Sequence, residues 1–85
     1  MKDFIEYLVK QIVTKPEEVE VYMQDSELGD EYHIVVSKDD MGLIIGKEGK
    51  TIKSIRAIAK AKAIKDNVRV RIEIDEPDNN AASDA

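Results

Sequence analysis

The sequence predicts an α+β domain with element order α-β-β-α-α-β, a three-stranded sheet with its helices packed on one face. Three observations lead there. Apolar residues recur with a helical period in two long segments and with a two-residue period in three shorter ones. Glycine and proline punctuate the chain between those segments. Each periodic segment has one apolar side, so a sheet layered against helices around a single core is the economical packing.

Residues 3–14 read as an amphipathic helix, with Phe4, Ile5, Leu8, Val9 and Ile12 on one side and Glu6, Lys10 and Gln11 on the other. Asp3 is placed to cap its start, and Lys15-Pro16 ends it, because proline pushes the preceding residue out of the helical region. Residues 18–24 alternate, with Val19, Val21 and Met23 facing one way and Glu18, Glu20 and Tyr22 the other. Residues 31–37 alternate again, Tyr32, Ile34 and Val36 against His33, Val35 and Ser37. The polar stretch Asp25 to Asp30, which contains Gly29, joins the two runs as a hairpin loop. Ser37-Lys38-Asp39-Asp40 offers several N-caps to a short helix over Met41-Gly42-Leu43-Ile44-Ile45, which Gly46 stops. A longer helix begins near Gly49 and runs to about Ile64. Its apolar face holds Ile52, Ile55, Ala59 and Ala63, with Lys50, Lys53 and Lys60 largely opposite and Arg56 at the boundary. Ile58 falls outside that stripe and marks either a neighbouring element or a contact surface. Residues 68–74 alternate most cleanly, Val68, Val70, Ile72 and Ile74 against Arg69, Arg71 and Glu73. Residues 76–85 carry no apolar pattern and read as a disordered acidic tail, which leaves residues 1–75 as the folded domain.

A chain of 85 residues has room for one domain with a modest core. It has no cysteine, hence neither disulfides nor thiolate metal sites. No apolar run approaches the roughly 20 residues that span a bilayer, and the N-terminus does not read as a signal sequence. A cytoplasmic protein without a membrane partner is the expectation. The net charge of −5 argues against a polyanionic partner, but its distribution argues for one. Residues 1–40 hold 4 basic and 11 acidic side chains, residues 41–72 hold 9 basic and 2 acidic, and residues 73–85 hold 5 acidic and none basic. A basic centre between acidic flanks aims a positive field at one surface.

Within the basic segment, Gly46-Lys47-Glu48-Gly49 lies between two helices. Glycines there permit unusual backbone angles and let another molecule approach the main chain. The N–H groups and dipole of the following helix favour an anion, and Lys47, Lys50 and Lys53 would surround a phosphate. Taken alone, four residues of this pattern also describe an ordinary joint between helices, Gly46 as a C-cap and Gly49 opening the next element. Two nucleotide-binding motifs are excluded. Both the P-loop ending Gly49-Lys50-Thr51 and the G-x-G-x-x-G fingerprint need glycine at position 44, where the chain has Ile44, and both follow a strand.

The run Ile44-Ile45-Gly46-Lys47-Glu48-Gly49-Lys50-Thr51-Ile52-Lys53-Ser54-Ile55 resembles the signature of KH domains: an apolar pair, Gly-x-x-Gly, then a lysine-bearing helix with isoleucines at helical spacing. With the element order, the resemblance is to the type II, or prokaryotic, KH fold over about residues 2–75. A KH domain of this size standing alone is similar to the small bacterial KhpA family. The resemblance implies a loop that clamps the backbone of about four unpaired nucleotides. Carried over by position, Gly46, Lys47, Glu48 and Gly49 would hold phosphates and sugars, and Lys50 and Lys53 would add charge. Ile44, Ile45 and Ile52 would build the groove and the core behind it. Bases would meet main-chain groups of the second strand near Ile34 to Val36, and Lys60, Arg69 and Arg71 would extend the track. The implied partners are single-stranded RNA, a second copy of the chain and a second KH protein of the KhpB type. The implied role is a post-transcriptional regulator or RNA chaperone with weak sequence specificity, since Glu48 sets a negative charge in the clamp and no aromatic pair flanks it.

Nothing assembles a catalytic site, so an enzyme is not expected, nor are a metal or a cofactor. His33 is the single histidine and reads as structural; Asp39-Asp40 reads as a capping pair without a third ligand; Glu17, Glu18 and Glu20 read as a solvated strand face. The competing reading is a dimeric protein-interaction module of KH-like shape with little RNA contact, motivated by the acidic balance, Glu48 and Ile58.

Overall fold

The structure, a computed structural model, describes residues 1–75; the segment expected as an acidic tail, 76–85, lies outside the described residues. The order of elements is the expected one: α1 (Lys2–Lys10), β1 (Glu20–Ser26), β2 (Gly29–Val35), α2 (Met41–Ile45), α3 (Lys50–Asp66) and β3 (Val70–Asp75). Single 3-10 turns at Pro16–Glu18, Lys38–Asp40 and Lys47–Gly49 complete the joints. The sheet runs β1-β2-β3, with β2 antiparallel to β1 and parallel to β3. A parallel partner for β2 requires a crossover, and α2 and α3 provide it.

The core is built from one face of each element. Ile5 and Val9 come from α1, and Val19 and Val21 from the approach and start of the first strand. Tyr32, Ile34 and Val36 come from the second, Ile44 from α2, Ile52, Ile55 and Ala59 from α3, and Ile72 from β3. The stripe read on the long helix is thus the buried one, and Ala63 is buried with it. Met23 departs from expectation: it shares the parity of Val21, yet it is 47% exposed. It lies beyond Val21 toward the hairpin end, opposite Tyr32.

Two joints also differ from the sequence reading. The hairpin is tighter than the Asp25–Asp30 loop, because pairing continues to Ser26 opposite Gly29 and leaves Glu27-Leu28 as the turn. Gly29 has φ +126, and a Cβ there would sit 2.7 Å from the Cβ and carbonyl oxygen of Arg69, so glycine is what lets the hairpin meet the start of β3. The first helix ends at Lys10 rather than near residue 14. Its exit is held by Asp40, whose carboxylate accepts bonds from the Thr14 N–H (3.1 Å), the Thr14 hydroxyl (2.7 Å), the Lys15 N–H (3.0 Å) and the Ser37 hydroxyl (3.1 Å). Asp40 is buried, and burial alone would raise its pKa; the Thr14, Lys15 and Ser37 bonds outweigh that and hold it below the ordinary carboxylate value. The capping roles assigned to Asp3 and Asp40 are therefore corrected. The helix α1 has Met1 at its N-cap, and neither α1 nor α2 receives a side-chain cap bond.

On the sheet face away from this core, the Tyr22 and His33 rings stack with centroids 4.9 Å apart and planes 7° from parallel. His33 reaches Asp75 with Nδ1 (3.0 Å) and Glu31 with Nε2 (2.9 Å), while the Tyr22 hydroxyl donates to the other oxygen of Asp75. Glu73, which is in register with His33 on β3, adds further negative charge. The three strands are thus tied together through one imidazole. The Asp75 bond raises the His33 pKa above 6.5; burial opposes it and the Glu31 bond adds to it. Burial would raise the Asp75 pKa, but the His33 and Tyr22 bonds bring it below 3.8. A raised imidazole pKa contributes stability that is complete below the unfolded value and is lost as pH rises through the folded one. A lowered carboxylate pKa contributes stability that is lost as pH falls through its folded value. The urea midpoint should therefore fall as pH is raised from about 6 to about 9, and His33→Gln should remove that slope. Equal slopes in parent and variant would show that the clasp does not contribute.

Candidate nucleic-acid interface

The joint between α2 and α3 is made by two glycines with different tasks. Gly46 ends α2 at φ 77 and ψ 170, and its N–H donates to the Gly42 carbonyl at 2.8 Å. A Cβ at Gly46 would lie 2.2 Å from the Thr51 hydroxyl oxygen and 2.7 Å from the Thr51 Cβ and nitrogen. This is a backbone region that essentially only glycine occupies, packed against the first turn of the next helix. Gly49 is the N-cap of α3, in left-handed conformation at φ 74 and ψ 15, and no atom lies within 4 Å of where its Cβ would be. The space a side chain would take at Gly49 is therefore open, while its N–H donates to the Gly46 carbonyl at 3.1 Å. Between them Glu48 is also left-handed, at φ 59 and ψ 25, which breaks the turn and turns the loop outward.

The expected side chains gather around this loop. Lys47, Glu48, Lys50 and Lys53 are exposed, Ile45 is 40% exposed beside Gly46, and Ile44 and Ile52 are buried beneath it. The helix α3 has 17 residues and no acidic side chain in its first turn, so its N-terminal partial charge is not neutralised there. The first-turn N–H groups of a helix have no partner within it; here those of Gly49 and Lys50 donate to the Gly46 and Lys47 carbonyls of the preceding loop. Glu48 precedes that turn and is the acid nearest it in sequence.

Farther along α3, a cleft of about 750 Å³ lies between that helix and β3. Arg56, Lys60, Ala63 and Ile64 line one wall, and Val68 to Glu73 line the other, with Leu28 of the hairpin turn at the far end. Lys60, Arg69 and Arg71, read from the sequence as a possible extension of the track, all border it. The expectation that bases meet the second strand near Ile34 to Val36 is corrected. That strand is central, and the ladders with β1 and β3 cover Gly29–Val35 and Asp30–Val35 respectively, so its main-chain groups are engaged on both sides. The edge open to the cleft is that of β3. There the Ile72 carbonyl points away from the sheet and accepts a bond from Arg56 Nε at 3.2 Å. Sequence reading placed Arg56 only at the boundary between the apolar and basic faces of the long helix and gave Leu28 no role. The uncharged composition of Tyr32-His33-Ile34-Val35-Val36 beside the charged Arg69-Val70-Arg71-Ile72-Glu73 was the available sign of which strand is central.

Asp39 and Asp40 do not converge, since Asp39 pairs with the Lys15 ammonium at 3.0 Å while Asp40 is turned inward. Among the described residues no group of three or more histidines and acids is arranged to hold a metal ion, and no helix is long and apolar enough to cross a membrane.

The family model for the KhpA/KhpB KH domain matches residues 2–74. The chain is 47% identical over 74 residues to the RNA-binding protein KhpA of Chlamydia trachomatis serovar D, covering 87% of this chain and 95% of that protein. It is 46% identical over 77 residues to the RNA-binding protein KhpA of Clostridium perfringens (87% and 99%). For the protein of that name from Listeria monocytogenes the identity is 37% over 74 residues (87% and 97%). No solved structure matches at a significant level.

The two glycines should respond differently to alanine. Gly46→Ala meets both a forbidden backbone region and Thr51, and should destabilise the domain by about 3 kcal/mol or more. Gly49→Ala meets only the left-handed penalty, about 1–2 kcal/mol. Urea denaturation of the two variants measures the difference, and equal losses would contradict the packing of Gly46 on Thr51.

Proposed function

The chain belongs to the KhpA/KhpB KH-domain family, and we propose that it binds single-stranded RNA by clamping the sugar-phosphate backbone on the Gly46–Gly49 loop. One observation carries this reading: Gly49, with open space where a side chain would stand, lies at the positive end of α3, with Lys47, Lys50 and Lys53 exposed around it. A phosphate there meets helix N–H groups, the dipole and ammonium charge together. Bases laid inward from the loop reach Ile45 and then the cleft between α3 and β3, where Arg56, Lys60 and Arg69 continue the positive lining. The relatives named RNA-binding protein KhpA support the choice of RNA.

Affinity for one copy is modest in this reading. Glu48 opposes the phosphates, and no stacked aromatic pair faces the loop; the Tyr22–His33 stack lies on the other side of the sheet. Weak, broadly tolerant binding suits a post-transcriptional regulator or RNA chaperone in the cytoplasm. Such a module gains by linkage to a second copy or to a KhpB-type partner, because a second tethered site binds at high effective concentration.

Replacing both loop residues, Lys47→Asp with Glu48→Asp, should abolish binding to a single-stranded RNA oligomer while leaving the circular dichroism spectrum unchanged. Parent affinity should fall steeply with salt as counterions return to the phosphates. Parent-like binding by the double variant would remove the clamp from the account.

A second reading, association with another protein chain, is favoured by Ile58. It is 45% exposed on α3, one turn before Lys62, whose ammonium lies 5.7 Å from the centre of the Phe4 ring on α1. An exposed isoleucine on this side of α3 suits contact with a second copy. Ile58→Asp should shift sedimentation toward the monomer and weaken binding to long RNA, with affinity for a hexamer unchanged. Identical sedimentation of parent and variant would place any self-contact elsewhere.

A further inference from the structure

We propose that Arg56 sets the base selectivity of the cleft by covering the main-chain acceptor that would otherwise read a base. The inference rests on the RNA reading of the same site and deepens it.

The argument begins with strand parity. Along a strand flanked on one side by a parallel partner, the main-chain groups of successive residues point alternately toward and away from that partner. On this stretch the Arg69 carbonyl points inward and accepts from the Asp30 N–H at 3.0 Å. Arg71 shares its parity. Ile72 has the opposite parity, and its carbonyl faces the cleft. It is therefore a main-chain acceptor at a strand edge, beside the cleft that α3 forms with β3. Arg56 lies seven residues beyond Gly49 on α3, about 10 Å along the helix axis, within the span of a short bound RNA.

An edge carbonyl discriminates between the two pyrimidines. At the C4 substituent of a pyrimidine the N4 amine of cytosine donates to it, whereas the O4 of uracil repels it and leaves only the neighbouring N3–H as a donor. With Arg56 Nε on the carbonyl at 3.2 Å, the acceptor is occupied, and what faces a base is a guanidinium. A guanidinium has donors and no acceptor. At the C4 substituent the polarity of the position is thus inverted, from one that favours the cytosine amine to one that favours the uracil oxygen. Arg56 is exposed and joined to β3 through this hydrogen bond, so its removal uncovers the carbonyl without opening the core.

The test uses hexamers of cytidine and uridine and compares the parent chain with Arg56→Met by fluorescence anisotropy at one salt concentration. Loss of the positive charge weakens both hexamers alike and cancels in their ratio. The cytidine-to-uridine affinity ratio is expected to rise at least threefold in the variant. In the parent without RNA, the Arg56 Nε proton is expected to exchange with solvent several-fold more slowly than that of Arg69. A ratio that stays the same or falls, with both hexamers bound and the spectrum of the fold retained, overturns the role of Arg56 and leaves the RNA reading in place. Exchange at the rate of a free guanidinium overturns it as well. If parent and variant bind neither hexamer, the RNA reading itself falls, and this inference falls with it.

Discussion

Gly46 sits so close to Thr51 that the start of α3 fills the space any side chain at Gly46 would need. That contact fixes how the chain leaves one helix and enters the next. Once Thr51 is seated there, the helical period turns Ile52, Ile55, Ala59 and Ala63 onto the sheet and leaves Lys50 and Lys53 outside. The Gly46–Gly49 loop and the stripe that closes the core are consequences of one close approach. A small domain has little stability to spare, so a loop that also organises the core costs it no separate scaffold.

The other end of α2 is held by a different device. The carboxylate of Asp40 gathers donors from Thr14, Lys15 and Ser37. It thereby joins the exit of α1 to the residues that follow the central strand. A buried acid with unfilled lone pairs would be destabilising; with its donors in place it stays ionised and stable. Asp40 and Gly46 thus fix the short helix at both ends. On the far side of the sheet, His33 does comparable work across the strands through Tyr22, Glu31 and Asp75.

The element order and the buried stripe of α3 were legible because periodicity reports burial directly, as Ile52, Ile55 and Ala59 illustrate. The glycine loop was legible because glycine is demanded by backbone angle. Pairing partners were not. The alternation of Tyr32, Ile34 and Val36 says which way side chains point, and nothing in it distinguishes a strand with two neighbours from a strand with one. The base-facing surface was accordingly placed on the central strand when the open edge belongs to β3. Asp40 was misread for a related reason. An acid before a helix is ordinarily a cap, and its actual partners lie 25 and 26 residues away in sequence. Arg56 escaped notice because its partner is a carbonyl oxygen, a group that every residue carries.

The charge distribution and the topology converge on a division of labour. The two sheet edges differ: β1 is approached through Glu17, Glu18 and Glu20, whereas β3 opens with Arg69 and Arg71 beside Arg56 and Lys60 of α3. The positive side of the molecule is therefore at β3 even though the chain as a whole is negative. Contacts at the loop would be made to phosphate and sugar, groups common to every nucleotide, so they position an RNA without selecting its sequence. In the proposed reading, selection falls to groups along the β3 edge, because the central strand has its main-chain groups engaged in two ladders. An arginine laid across that edge holds α3 against β3 and occupies the reading surface at the same time. In the proposed reading, the bond between Arg56 and the Ile72 carbonyl is thus where stability of the cleft and discrimination between bases oppose each other.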